Sequence, residues 1–151
     1  MGLKMLESRL CLLLLLGLTL SSCQGVPSWQ WFKTQHIYND ANPRCDDAMR
    51  AINGNTGNCK NFNTFLHTSF ADVVQVCNNP PTICKDGRSK NCHESTARVL
   101  VTSCSLTRVG IDYCKYNDEE GMKFYRVKCK RTTPQDKTEY PVVPVHLDDI
   151  F

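Results

Sequence analysis

Eight cysteines downstream of an apolar leader constrain this chain more than any other feature. Ten cysteines occur in the 151 residues. Cys11 and Cys23 fall in the leader; Cys45, Cys59, Cys77, Cys84, Cys92, Cys104, Cys114 and Cys129 follow it. The leader opens with Lys4 and Arg9, runs apolar from Leu10 to Leu20, and ends in the small residues Ser21, Ser22, Cys23 and Gly25. That order is the pattern of a secretory signal peptide. The apolar run is about 11 residues, and crossing a bilayer takes roughly 20, which argues against an anchor. We expect residues 1–25 to be removed and residues 26–151 to form one domain. An even cysteine count in an exported domain predicts four disulfides. Eight cysteines permit on the order of a hundred pairings, so spacing alone assigns none. A zinc site is a poor fit, because no Cys-x-x-Cys and no paired His motif occurs. Each bridge adds roughly 2–4 kcal/mol, chiefly by restricting the unfolded chain.

Charge excludes less than the cysteines do. The whole chain carries +3, and Lys4, Arg9 and Glu7 leave with the leader, giving about +2. A bias that mild does not demand nucleic acid or membrane; placement matters more than total. Lys123, Arg126, Lys128, Lys130 and Arg131 are the one basic concentration, readable as a membrane-binding patch or as a solvated strand face. There is no internal repeat, no low-complexity tract and no Asn-x-Ser/Thr sequon.

Along the chain, Ser28 to Tyr38 reads as a short amphipathic helix with Trp29, Phe32 and His36 on one face and Ser28 as N-cap. Arg44 to Ile52 is a second helix, with Ala48, Met49 and Ile52 inward and Gly54 and Gly57 ending it. Ser69 to Val76 is a third, where Ser69 caps and Asp72 sits at N3. Thr96 to Leu106, Met122 to Lys130 and Tyr140 to Leu147 read as strands. Pro141 and Pro144 place the last at an edge or bulge, and Tyr140–Pro141 is a candidate cis bond. Cys84 to Cys92 encloses a polar loop, and Thr132 to Tyr140 is a charged surface loop.

The chemistry concentrates in Cys59-Lys60-Asn61-Phe62-Asn63-Thr64-Phe65-Leu66-His67. Its period-two alternation predicts a half-buried strand with Lys60, Phe62 and Thr64 on one face. A cation for an anion then lies beside a hydroxyl that can donate or accept. Proton transfer needs titratable partners. His36 points inward from its helix. His146 precedes Asp148 by two residues on a strand, so the carboxylate is placed to orient the imidazole. His67 reads as structural and His93 as an exposed loop residue.

Phe32-x-x-Gln35-His36, Cys59-Lys60-x-x-Asn63-Thr64-Phe65 and Pro144-Val145-His146-x-Asp148, interleaved with eight cysteines, resemble the pancreatic-type ribonuclease superfamily across the mature chain. Thr133-Pro134-Gln135-Asp136 and the leader stretch Leu6-Glu7-Ser8-Arg9-Leu10-Cys11-Leu12 look like its rodent eosinophil-associated branch. The resemblance implies an α+β fold: a V-shaped antiparallel sheet with three short helices. It implies the bridges Cys45–Cys104, Cys59–Cys114, Cys77–Cys129 and Cys84–Cys92. It implies cleavage of single-stranded RNA 3′ of pyrimidines, without metal or cofactor. His36 is the implied base, His146 the acid and Lys60 the cation on the phosphorane. Gln35 and the Leu147 backbone N–H resemble the remaining phosphate contacts, Asp148 the orienter of His146, Thr64 the base reader, Asn63 a further substrate-binding residue, and Asn91 the polar contact for the next base. A secreted, granule-stored monomer is implied, with ribonuclease inhibitor and anionic membrane surfaces as further partners. Three departures stand out. Trp31 and Thr34 occupy helix positions where digestive members carry basic residues, Leu147 replaces an aromatic, and Ser103 replaces an aspartate.

Overall fold

The computed structural model describes residues 25–40 and 44–151; the leader expected over residues 1–25 lies outside them except for Gly25. Three helices and two antiparallel sheets make up the described chain. Helix α1 is Ser28–His36, α2 is Cys45–Thr56 and α3 is Phe70–Val76. The strands are β1 Phe62–Leu66, β2 Pro81–Thr82, β3 Cys92–Glu94, β4 Val99–Val109, β5 Cys114–Lys123, β6 Tyr125–Arg131 and β7 Val142–Ile150. The expected sheet divides in two, ordered β1-β4-β5 and β2-β3-β6-β7. Phe124 alone separates β5 from β6, so one residue carries the chain from sheet to sheet.

Two cores form, the larger shared by both sheets through Leu66 of β1 and Val101 of β4. On the four-stranded sheet, Phe32 of α1 and Phe70, Val73, Val74 and Val76 of α3 pack with Val127 and Val143. On the three-stranded sheet, Met49 and Ile52 of α2 pack with Phe65 and Tyr116. Apolar positions at helical spacing facing a half-buried sheet produce this layering. The four disulfides join Cys45–Cys104, Cys59–Cys114, Cys77–Cys129 and Cys84–Cys92, as the resemblance implied.

Boundaries moved for local reasons. Ser28 is the first helical residue of α1, and the N-cap is Pro27, whose carbonyl accepts from Gln30 and Trp31. The helix stops before Tyr38 because Ile37 turns extended and bridges Leu66 of β1. Helix α2 runs through Gly54 to Thr56; Gly57, at φ 78°, is its C-cap. That left-handed conformation is one glycine adopts without a Cβ clash. Ser69 caps α3 as expected, its Oγ accepting from Asp72 N–H at 3.1 Å. The Tyr140–Pro141 bond is trans. His93 lies on β3, half-buried, with Nδ1 on the Asn79 carbonyl oxygen at 2.7 Å, not in an exposed loop. Strand β5 was not foreseen. Its sequence is mostly charged and exposed, and Tyr116 is its one buried side chain. Polar side chains stitch it to α2: Asp118 accepts the Cys45 N–H at 3.2 Å, and Asp46 accepts the Tyr116 N–H at 2.8 Å.

Candidate active site

Helix α1 and strand β1 meet at the site. Strand β1 is an edge, paired only with β4. In an antiparallel ladder alternate residues exchange hydrogen bonds with the neighbour. Leu106 N–H donates to Asn61 and His67 N–H to Leu100, so in this register the odd-numbered residues of β1 bond to β4. The N–H and C=O of Thr64 therefore point to the open edge, where α1 lies.

His36 uses that edge. Its Nδ1 lies 2.8 Å from the Thr64 carbonyl oxygen. A carbonyl can only accept, so Nδ1 carries the proton and Nε2 keeps its lone pair. Burial lowers the imidazole pKa from its ordinary value to about 4; the Thr64 bond opposes this, and the charges of Lys60 and His146 add to it. A neutral imidazole with a fixed tautomer, within electrostatic reach of a lysine and a second histidine, is the state a general base requires.

Lys60 precedes β1, just outside the alternating run that suggested a face shared with Phe62 and Thr64. Its Nζ donates to Asn63 Oδ1 at 2.8 Å and to Gln35 Oε1 at 3.3 Å. Asn63 Nδ2 in turn donates to the Gln35 carbonyl oxygen at 2.8 Å. Gln35, Lys60 and Asn63 thus form one hydrogen-bonded group, and their chain neighbours His36 and Thr64 form a bonded pair beside it. Partial burial lowers the Lys60 pKa. The Lys60 backbone is clamped at both ends: its N–H donates to Asn53 Oδ1 at 3.0 Å, and its carbonyl accepts from Tyr116 OH at 2.7 Å. Asn53 Nδ2 donates to the same hydroxyl at 3.0 Å. Neither Asn53 nor Tyr116 was foreseen; Tyr116 being the sole buried residue of a charged strand was the available signal, and it needs the strand assigned first.

Strand β7 carries the other half. His146 is exposed and pairs with Lys128 of β6. The strand does not keep a simple alternation. The register slips twice, leaving Val145 and Asp148 as extra residues opposite β6. At such bulges a side chain is re-aimed. Asp148 accordingly accepts from Lys85 N–H at 2.9 Å and from Arg126 Nη1 at 3.3 Å. Its hydrogen bonds lie with those two groups and not with His146, in contrast to the same-face expectation. Leu147 is half-buried against the larger core. Asn91 is exposed, and its Nδ2 donates to the Cys129 carbonyl at 3.0 Å, so Oδ1 is the acceptor it has to offer. His67 is held structurally, between the Asp40 carbonyl oxygen at 3.0 Å and Thr102 Oγ1 at 2.7 Å.

With that geometry in place, a family profile described as pancreatic ribonuclease matches residues 27–148. The chain belongs to the pancreatic ribonuclease family. This ribonuclease is 59% identical to "Ribonuclease 2B" of Mus musculus. It is 57% identical to "Eosinophil cationic protein" of Rattus norvegicus. It is 54% identical to "Non-secretory ribonuclease" of Mus musculus. Each comparison covers all of both chains. RNA is the substrate class the family implies.

The departures from the family pattern have physical places in the ribonuclease. Trp31 packs against the α2 core, and Thr34 is exposed; neither offers a charge to a flanking phosphate. Ser103 lies directly across the ladder from Thr64. Two of the five cations in the basic concentration, Arg126 and Lys130, are ion-paired; Lys123, Lys128 and Arg131 have no ion pair among the described residues. Arg126 pairs with Glu94, Asp148 and Asp149, and Lys130 pairs with Asp136 at 3.2 Å. Those two charges are committed within the fold, which reduces but does not remove what the patch offers an anionic surface.

Proposed function

We propose that the protein is a secreted endoribonuclease, serving innate host defence, that cleaves single-stranded RNA on the 3′ side of pyrimidines. The carrying observation is the His36–Thr64 hydrogen bond. It leaves Nε2 unprotonated beside the Lys60 ammonium, with Thr64 N–H on the same open edge. In this reading Nε2 of His36 takes the proton from a ribose 2′-OH. The oxygen attacks phosphorus in line and forms a 2′,3′-cyclic phosphate. His146, protonated, gives its proton to the departing 5′-oxygen, and hydrolysis of the cycle runs the two roles in reverse. Lys60 meets the negative charge that grows on the phosphorane, where loss of one such donor costs about 10²–10³ in rate. Gln35 and the Leu147 N–H complete the phosphate contacts.

The Thr64 N–H and hydroxyl read a pyrimidine edge, since a hydroxyl both donates and accepts. Asn91 Oδ1 suits the exocyclic amine of a following adenine. DNA is refused because it lacks the attacking 2′-OH. The leader pattern supports export, and the reading takes a monomer.

Cleavage of the dinucleotides UpA and CpA, with and without chelator, tests the reading. His36→Ala and His146→Ala are each expected to lower the rate by orders of magnitude with unchanged circular dichroism. Retained cleavage in either variant removes that histidine from the mechanism. If the same two variants kill bacteria or permeabilise anionic vesicles as well as wild type, the biological role lies in membrane contact and not in catalysis.

A further inference from the structure

Arg126 is the most heavily partnered charge outside the group around Lys60. It stands on β6 with its side chain 18% exposed. Nε and Nη2 donate to Glu94 Oε2 of β3 at 3.0 and 2.8 Å. Nη1 reaches Asp148 at 3.3 Å and Asp149 at 3.7 Å, both on β7. The guanidinium also lies over the Phe151 ring, 5.2 Å from its centroid. That ring stacks on Phe124 at 5.9 Å, and Arg98 covers Phe124 at 4.7 Å. A planar cation held on its edge by carboxylates and on its face by an aromatic ring has little freedom to leave.

The bulge at Asp148 gives this grip a consequence. Asp148 follows His146 by two residues, yet its carboxylate, 8% exposed, is turned to Arg126 and the Lys85 N–H. We propose that Arg126 is a positioning residue for the His146 acid: by holding the Asp148 carboxylate it withholds that negative charge from the imidazole. The inference rests on His146 being the proton donor. An acid must release its proton, and an adjacent free carboxylate would tighten the imidazole's hold on it. Other charges around His146 are Lys128, its cross-strand partner, and His36 on α1; Asp149, further along β7, is held by Lys85 Nζ at 3.8 Å and by Arg126. Glu94 lies on the far edge of the guanidinium, where it anchors Arg126 and faces away from Asp148.

The test is an NMR pH titration of the His146 ring in wild type, Arg126→Met, Arg126→Lys, Asp148→Asn and Arg126→Met/Asp148→Asn, beside the pH–rate profile on CpA. Arg126→Met is expected to move the His146 titration and the alkaline limb of the rate to higher pH. Arg126→Lys, which keeps the charge, moves them less. Adding Asp148→Asn to Arg126→Met is expected to cancel the movement. Asp148→Asn alone is expected to move His146 little, because the arginine already absorbs that charge; this measurement stands even if Arg126→Met fails to fold. The proposal is overturned if Asp148→Asn alone shifts His146 strongly to lower pH. It is equally overturned if Arg126→Met leaves the titration unmoved, or if the shift survives in the double variant. A titration that moves as expected while the rate profile does not would instead remove His146 as the acid.

Discussion

The Thr64 carbonyl sets the tautomer of His36, and burial, which holds the ring neutral, sets a pH dependence. The imidazole pKa is lowered in the folded protein from 6.5 to about 4. Between those values the unfolded chain binds the proton and the native one does not. Stability from this group is therefore complete above pH 6.5 and is lost as pH falls through about 4. The acid limb of kcat/KM for the free enzyme should likewise fall below the ordinary imidazole range. A pH–rate profile with its acid inflection at or above 6.5 would show that the site does not keep His36 neutral. Lys60 carries the second residue-scale expectation. Lys60→Ala should lower kcat on CpA by about 10²–10³. Tyr116→Phe, which removes only the hydroxyl that clamps the Lys60 carbonyl, should lower kcat by a smaller factor and leave KM near wild type. Equal loss in kcat and stability-limited activity across temperature would reduce Tyr116 to a core residue. The sequence made His36 and Lys60 candidates because local motif and residue chemistry sufficed. It did not show that Asp148 turns from His146, since a bulge depends on which strand lies alongside.

Elements were legible where one apolar face repeats within the segment. Helix α3 is the clearest case: Phe70, Val73, Val74 and Val76 are all buried, and Ser69 caps it. Ser69→Ala should cost about 1 kcal/mol in urea unfolding and leave the CpA rate unchanged; a loss near zero would mean the tertiary packing of α3 makes the cap redundant. Strand β5 is the opposite case. Its stability comes from pairing with β4 and from Asp46 and Asp118 binding across to α2 and β5 backbone. None of that is written within its own ten residues. Strand β7 falls between. Pro144 correctly marked it as an edge, but the two register slips lie in its pairing with β6.

At the scale of the molecule, the cysteines staple each half to itself. Two bridges close on β4 and β5, one ties the end of α3 to β6, and one closes the loop before β3. None of the four joins one sheet to the other. The eight cysteines announced a cross-linked domain, and the family resemblance supplied their partners; the division into two cores follows from which faces the helices cover, which pairing alone does not state. The proposed reacting groups lie on both sides of that division. Lys60 is anchored by Asn53 and Tyr116 of the α2 half, whereas His146 rides on β7 of the other. A phosphate gripped by both would act as a removable rivet across a seam that the main chain crosses but no disulfide does. Cytidine 3′-phosphate should therefore raise the melting temperature of wild type, with about 1.4 kcal/mol gained for each tenfold excess over Kd, and should do so far less in Lys60→Ala. Equal stabilisation of the two would mean the nucleotide sits on one half only. An occupied cleft would then be stiffer than an empty one, and hydrogen exchange should slow along β1 and β7 together when the nucleotide is bound.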